Sequence, residues 1–181
     1  FAFNKLAYEI FYPHYHFFSH FLILLKDAPN SDFEQSRKVW LAFKKSANNN
    51  YSYTVKTASW AGFGDSTIIS VSNGIVSGRK YTSYTIDGAT GQTSTRETWT
   101  ENSTNLNTHQ SGASTINLDA VYEKAVNDWL KADKKQNTIY FEAKNQGMIS
   151  TCGYVPNGCQ DDCLTGIRIS NISGLQSKIT K

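Results

Sequence analysis

The sequence is short of the residue types that mark several large protein classes. Its 181 residues include only 3 Pro and 12 Gly, which excludes a collagen-like or other fibrous chain. No apolar run reaches the roughly 18 residues that a membrane-spanning helix needs. Charged residues make up 18% and the net charge is only +3, so we expect no nucleic-acid partner. The 39% of hydrophobic residues suffice for the core of a single domain.

Cysteine is also scarce, and all three cysteines lie in one short segment: Cys152, Cys159 and Cys163. We predict a Cys152–Cys163 disulfide across the loop between the last two strands, with Cys152–Cys159 as the alternative. Either pairing leaves an odd cysteine that could link two chains or remain a free thiol. The spacing matches no common zinc module, so we expect no metal and no cofactor.

Three N-x-Ser/Thr patterns are present, at Asn50, Asn102 and Asn171. This pattern marks an acceptor asparagine for N-glycosylation. The polar residues are mainly Ser, Thr and Asn rather than Lys and Glu. Together with the cysteines, these features predict a secreted, extracellular glycoprotein in which a disulfide persists.

Residues 1–30 differ from the rest because aromatic residues crowd them. The run at 17–25 (FFSHFLILL) has the length of the apolar region of a signal peptide. We interpret the segment as a residual secretion signal or an upstream extension; a packed helix and an amphipathic membrane anchor are the alternatives. The predicted fold is then a single domain over 31–175, followed by a tail over 176–181.

The hydrophobic periodicity predicts an α+β fold. Apolar residues at helical spacing indicate helices at about 31–45 and 118–130. Alternating patterns and turn signals indicate strands, and Asn73-Gly74 predicts a type I′ hairpin. The expected architecture is an antiparallel sheet of about five to six strands with two amphipathic helices packed on one face, in the order α-β-β-β-β-α-β-β. The predicted strands are 51–56, 67–72, 75–86, 92–100, 138–143 and 164–172.

The order of these motifs resembles a family of small secreted or lipoprotein-type α+β domains of unknown function. The residues that carry the resemblance span about 33–172. The family implies secretion and supplies no catalytic residue. The motifs are Trp40, Tyr51-Ser52-Tyr53-Thr54, Val71-Ser72-Asn73-Gly74, Leu118-Asp119-Ala120-Val121-Tyr122, Tyr140-Phe141-Glu142 and Gly147.

Chemistry-bearing patterns are few. His109 is the only histidine of the predicted domain, and it could pair with Glu97, Glu101 or a cysteine. No G-x-S-x-G nucleophile motif is present, and a solvated loop histidine is the simpler interpretation. We therefore predict no catalytic residue, although an enzyme lacking a known motif stays open.

The expected function is a secreted, non-enzymatic domain acting as an extracellular interaction or structural protein. Its expected partner is an unidentified extracellular protein or a glycan, and oligomers could form through the unpaired cysteine. The alternative is a carbohydrate- or small-ligand-binding module that uses an aromatic face of the sheet, because aromatic rings stack on sugars. The residues of that alternative site are Trp60, Tyr81, Tyr84 and Trp99.

Overall fold

A computed structural model describes residues 31–160 and 162–175. The predicted leader at 1–30 and tail at 176–181 lie outside these residues. In the described part, two α-helices, seven strands and a short 3-10 helix follow one another. They are α1 (Ser31–Ser46), β1 (Tyr51–Ala58), β2 (Phe63–Ser72), β3 (Ile75–Ile86), β4 (Thr93–Asn102), α2 (Leu118–Asn127), the 3-10 helix (Trp129–Lys131), β5 (Asn137–Glu142), β6 (Thr151–Pro156) and β7 (Thr165–Gly174).

The strands form one sheet in the order β4-β3-β2-β1-β7-β6-β5, and neighbouring strands are antiparallel. Tight connections join β1 to β2 and β2 to β3, whereas β7 returns from far along the chain to pair with β1. The predicted α+β class with an antiparallel sheet is confirmed. The predicted count of five to six strands is wrong, because the described residues form seven.

The strand that was not predicted is β6, because its residues are more typical of a loop. Its six residues include a cysteine, a glycine and a proline, and none of these is typical of a strand interior. Gly153 is needed here because the backbone of β7 comes very close. A Cβ atom at this position would lie 2.5 Å from the carbonyl oxygen of Thr165. The glycine therefore marks close strand packing instead of a turn.

The predicted Asn73-Gly74 hairpin is confirmed, and a side chain also caps the start of α2. Asn73 and Gly74 join β2 to β3 with φ angles of 52° and 80°, as a type I′ turn requires. Asn117 caps α2, since its Oδ1 accepts a hydrogen bond of 2.9 Å from the backbone N–H of Ala120.

Both helices pack into one hydrophobic core on the same face of the sheet. Trp40 of α1 is buried in this core. Its ring meets Tyr51 edge-on with the centroids 5.0 Å apart, and it stacks on Tyr122 of α2 at 6.2 Å. Its indole Nε1 donates to Asp119 Oδ1 at 3.0 Å, so the polar edge of the ring is satisfied as well.

Buried tyrosine hydroxyls tie the sheet to the polypeptide around α2. The hydroxyl of Tyr51 accepts from the N–H of Leu118 at 3.0 Å, and that of Tyr53 donates to the carbonyl of Ile116 at 2.5 Å. Burial raises the pKa of Tyr51 to about 12. These bonds stabilise the start of α2 because buried polar groups are costly when they lack partners.

Tyr122 makes the same kind of link between the helices and the approach to β6. Its hydroxyl accepts from the N–H of Ile149 at 3.0 Å and lies 2.8 Å from Ser36 Oγ.

We expect Tyr122→Phe to lower the free energy of unfolding by about 1–3 kcal/mol, because the buried N–H of Ile149 loses its acceptor. Urea denaturation measures the change. Tyr140→Phe is the control, since Tyr140 is 43% exposed; equal midpoints for both variants would contradict the assigned role.

Candidate functional site

The central strand β1 pairs with β7 along only part of its length. The pairing begins at Tyr51 and ends at Val55, which lies opposite Ile169. Among the described residues, 56–58 then pair only with β2, and 165–168 of β7 pair only with β6. The two strands diverge here. We call the opening between residues 56–58 and 165–168 the β1–β7 cleft.

A β-bulge stands where the cleft begins. Thr54 lies opposite Asn171, but the next residue, Val55, lies opposite Ile169. Ser170 is therefore one residue in excess on β7. Such a bulge bends the strand that carries it and increases its local twist, which directs the first half of β7 away from β1.

Hydrogen bonds on the far side of β7 reinforce this divergence. The N–H of Ile169 donates to the carbonyl of Ser150 at 2.7 Å, and its carbonyl accepts from Asn145 Nδ2 at 3.0 Å. Ile169 is thus bound on its β6 side. Peptide groups alternate in direction along an antiparallel strand, so those of Arg168 face the cleft.

Two hollows meet in the cleft. One has a volume of about 420 Å³ and reaches Tyr81 and Ile167, which belong to the helix-bearing face of the sheet. The other, of about 590 Å³, reaches Glu142 and Thr151 on β5 and β6. Both volumes lie in the range of small-molecule sites. The residues common to both hollows are Lys56, Thr57, Ala58, Tyr84, Asp162 and Arg168.

Tyr84 forms a flat wall of the cleft. It pairs with Gly64 across β2 and β3, on the face opposite the helices, which we call the outer face. A Cβ atom at Gly64 would lie 2.7 Å from ring atoms Cε2 and Cζ of Tyr84. The ring therefore covers the glycine backbone, and the absence of a side chain at Gly64 permits this arrangement.

Some charged side chains around the cleft have hydrogen-bond or ion-pair partners and others do not. Asp65 accepts a hydrogen bond from Thr57, and Glu142 accepts from Lys144 at 2.6 Å. The Lys144 ammonium, and a further bond from a threonine hydroxyl, lower the pKa of Glu142. In contrast, Lys56 and Arg168 form no ion pair and no side-chain hydrogen bond in the described structure.

The four aromatic residues proposed from the sequence do not share one surface. Trp60 lies at the tip between β1 and β2 and is 82% exposed. Tyr81 and Trp99 are buried and stack on each other with centroids 5.0 Å apart. Of the four, Tyr81 and Tyr84 line the cleft. Lys56 and Arg168 also line the cleft but belong to no sequence motif, so they were not predicted; only the register of β1 and β7 brings them together.

A buried ion pair lies beside the Tyr81–Trp99 stack. Arg79 Nε donates to Glu101 Oε2 at 2.8 Å, and both side chains are almost fully buried. Glu101 also accepts from the backbone N–H groups of Asn107 and His109, at 2.9 and 2.8 Å. Arg79 donates in turn to the carbonyls of His109 and Ala113. The pair therefore fastens the loop between β4 and α2 onto the sheet.

His109 contacts Glu101, one of the partners that the sequence suggested. Its Nδ1 lies 3.1 Å from Glu101 Oε1, and its ring stacks on Trp99 at 4.2 Å. A histidine held by a carboxylate is a common catalytic arrangement, but neither hollow of the cleft includes His109. The observed contacts give this histidine a packing role in the loop.

The cysteine pairing differs from both sequence-based predictions. Cys159 and Cys163 form the disulfide, whereas Cys152 is free and fully buried. Cys152 belongs to β6, where it pairs with Phe141 and Ile167 and faces the core. The proposed intermolecular bond through the unpaired cysteine is corrected as well, because this thiol does not reach the surface.

The predicted glycosylation sites differ in their surroundings. Asn102 and Asn171 are exposed. The side chain of Asn50 is engaged at both ends: Oδ1 accepts from the N–H of Asn73, and Nδ2 donates to the carbonyl of Asn48 at 2.6 Å. Glycosylation at the three sites stays a prediction.

Over residues 31–160 and 162–175, no three His, Cys, Asp or Glu residues are grouped so that they could hold a metal ion. The helices in the same range are too short or too polar to cross a bilayer.

Comparison of the chain with protein-family models, curated proteins and solved structures finds no match. The resemblance to the secreted α+β family therefore stays a prediction.

The Arg79–Glu101 pair predicts an acid-dependent stability. The bond from Arg79 holds the pKa of Glu101 well below its ordinary value of 4.5. Its contribution to stability is complete above pH 4.5 and is lost progressively as the pH falls toward the folded-state pKa. We expect the difference in unfolding free energy between the wild type and Glu101→Gln to shrink from pH 6 to pH 3. Urea denaturation at each pH measures it. Exposed Glu97 provides the control, Glu97→Gln, and an equal pH profile for both variants would refute the assignment.

The environment of Cys152 predicts an inert thiol. Burial raises its pKa to about 12, and the reactive thiolate is then scarce at neutral pH. We expect Ellman's reagent to detect no fast-reacting thiol in the native, unreduced protein and one thiol after denaturation. The control is Cys152→Ser, which should show none in either state. Rapid labelling of Cys152 under native conditions would be incompatible with its burial.

Proposed function

We propose that this protein is a secreted, non-enzymatic binding domain whose ligand occupies the β1–β7 cleft. The observation that carries the proposal is the divergence of β1 and β7 after Val55 and Ile169. It opens two confluent hollows of about 420 and 590 Å³ in the middle of the sheet. Clefts of this size that combine apolar walls with a few polar groups are typical ligand sites.

The cleft favours ligand binding over a purely structural role. Two diverging strands forgo backbone pairing that a closed sheet would gain, and exposed strand edges favour unwanted association. A ligand that fills the opening recovers part of that interaction. The bulge at Ser170 and the bonds of Ile169 hold the strands apart, so the site exists before the ligand arrives.

One wall of the cleft is stabilised covalently. The disulfide between Cys159 and Cys163 closes the turn that leads from β6 into β7. Asp162 and Leu164, within and just after this turn, line the smaller hollow. A disulfide of this kind persists outside the cell, which supports the extracellular part of the proposal.

The test is a small-molecule fragment screen monitored by ¹H–¹⁵N NMR on the full chain. We expect the chemical-shift changes to concentrate at residues 56–58, Tyr84 and Arg168, because these surround both hollows. Tyr84→Ala should weaken the binding of cleft fragments by about tenfold, since Tyr84 is the aromatic residue that lines both hollows.

Tyr140→Ala is the matched control, because Tyr140 is a tyrosine of the same sheet that is 43% exposed and lines neither hollow. It should leave fragment affinities unchanged. Fragments that bind away from the cleft, or a screen without hits, would overturn the proposed site.

A further inference from the structure

The larger hollow combines a stacking surface with unneutralised positive charge. Tyr84, Lys56 and Arg168 all line it. Lys56 and Tyr84 belong to the outer face, because they alternate with residues that point toward the helices. Arg168 lies between the buried Ile167 and Ile169, so its side chain also points outward. One ligand lying on the outer face can therefore meet all three side chains.

Two carboxylates, those of Glu142 and Asp162, line this hollow together with three cationic side chains, so positive charge is in excess; the cations are Lys56, Lys144 and Arg168. Glu142 is engaged by Lys144 and by Thr151, with bonds of 2.6 and 3.1 Å. Lys56 and Arg168 lack an ion-pair partner in the described part of the chain. A guanidinium presents its N–H groups as a planar fork that matches a carboxylate. The charge pattern thus favours a ligand with an anionic group near Arg168 and Lys56.

The tyrosine indicates the rest of that ligand. Its ring is held flat by the bare backbone of Gly64, so it offers a broad apolar surface at little entropic cost. The hydroxyl oxygens of Thr151 and Ser170 and the carboxylate of Glu142 supply hydrogen-bond acceptors around it. A flat apolar face surrounded by both donors and acceptors suits a pyranose ring, which has apolar C–H faces and hydroxyl edges.

We infer that the β1–β7 cleft binds an acidic saccharide, with a sugar ring stacked on Tyr84 and its carboxylate held by Arg168 and Lys56. This inference rests on the proposed binding function and names its ligand class. Inorganic anions and acyclic carboxylates share the charge but lack the ring, so they gain nothing from Tyr84. Neutral sugars share the ring but lack the charge.

The experiment compares matched ligands by NMR titration of the full chain. The pairs are 3′-sialyllactose against lactose and trigalacturonate against its methyl ester. Propane-1,2,3-tricarboxylate is the acyclic anion. We expect an acidic sugar to shift the amides of residues 56–58, Tyr84 and Arg168, and to bind at least about tenfold more tightly than its neutral partner. Raising NaCl from 50 to 500 mM should weaken that binding.

Charge variants test the basic residues. Arg168→Gln and Lys56→Gln should each weaken the binding of the acidic sugar about tenfold and leave the affinity for the neutral sugar unchanged. Arg37→Gln and Lys80→Gln are matched controls, since both side chains are exposed and line neither hollow. Equal losses in all four variants would indicate a general charge effect and overturn the assignment to the cleft.

A glycine variant tests the stacking surface without removing the tyrosine. In Gly64→Ala the new methyl group would occupy the space of the Tyr84 ring and displace it. The ring is the mobile end of a side chain, and Gly64 does not need a positive φ angle, so the fold should persist. We expect about tenfold weaker sugar binding. Gly88→Ala is the control, because nothing lies within 4 Å of its Cβ position.

The outcomes separate this inference from the proposed function. Equal affinity for acidic and neutral sugars in the cleft would refute the role of charge but retain a binding cleft. Equal affinity for the tricarboxylate and for the acidic sugar would refute the role of the sugar ring. If fragments bind in the cleft and no sugar does, the ligand class is wrong and the binding function stands. If neither fragments nor sugars reach the cleft, both proposals fail.

Discussion

The pairing of β1 with β7 is the constraint on which the structure depends. It joins the four strands β4 to β1, connected by short turns or loops, to the three strands β7 to β5. More than a hundred residues separate the paired segments, from Tyr51 opposite Gly174 to Val55 opposite Ile169. Where β1 and β7 are paired, the sheet presents a continuous face on which the helices pack. Where it ends, the same sheet opens into the cleft.

The register between β1 and β7 therefore determines both where the core is closed and where the cleft opens. Tyr51 and Tyr53 lie in the paired half of β1, and their hydroxyls hold the chain at the start of α2. Lys56, three residues further on, has no β7 partner and lines both hollows. The buried Arg79–Glu101 pair fastens a separate loop over the neighbouring strands. The hydroxyl bonds of Tyr51 and Tyr53 thus lie in the paired half of β1, whereas the unpaired half lines the cleft.

Local patterns in the sequence reveal part of this arrangement. The Asn73-Gly74 turn and the apolar stripe from Leu118 are visible because each depends on residues close in the chain. The strand around Cys152 cannot be recognised from the sequence. Its glycine, Gly153, is required by the close approach of the β7 backbone, and β7 is a later segment of the chain. The wrong disulfide follows from the same omission: a cysteine assigned to a loop lies on a buried strand, and its neighbours Cys159 and Cys163 pair instead.

The sequence alone determined the α+β class, the two amphipathic helices and most hairpins, since periodicity and turn chemistry act over a few residues. It also identified Tyr84 as an aromatic of the sheet, although not its neighbours. Only the tertiary structure decided that Tyr84 lies on Gly64 and that Lys56 faces Arg168 across an opening. The reason is physical: the register between β1 and β7 depends on the bulge at Ser170 and on packing between distant segments, and no local pattern encodes it.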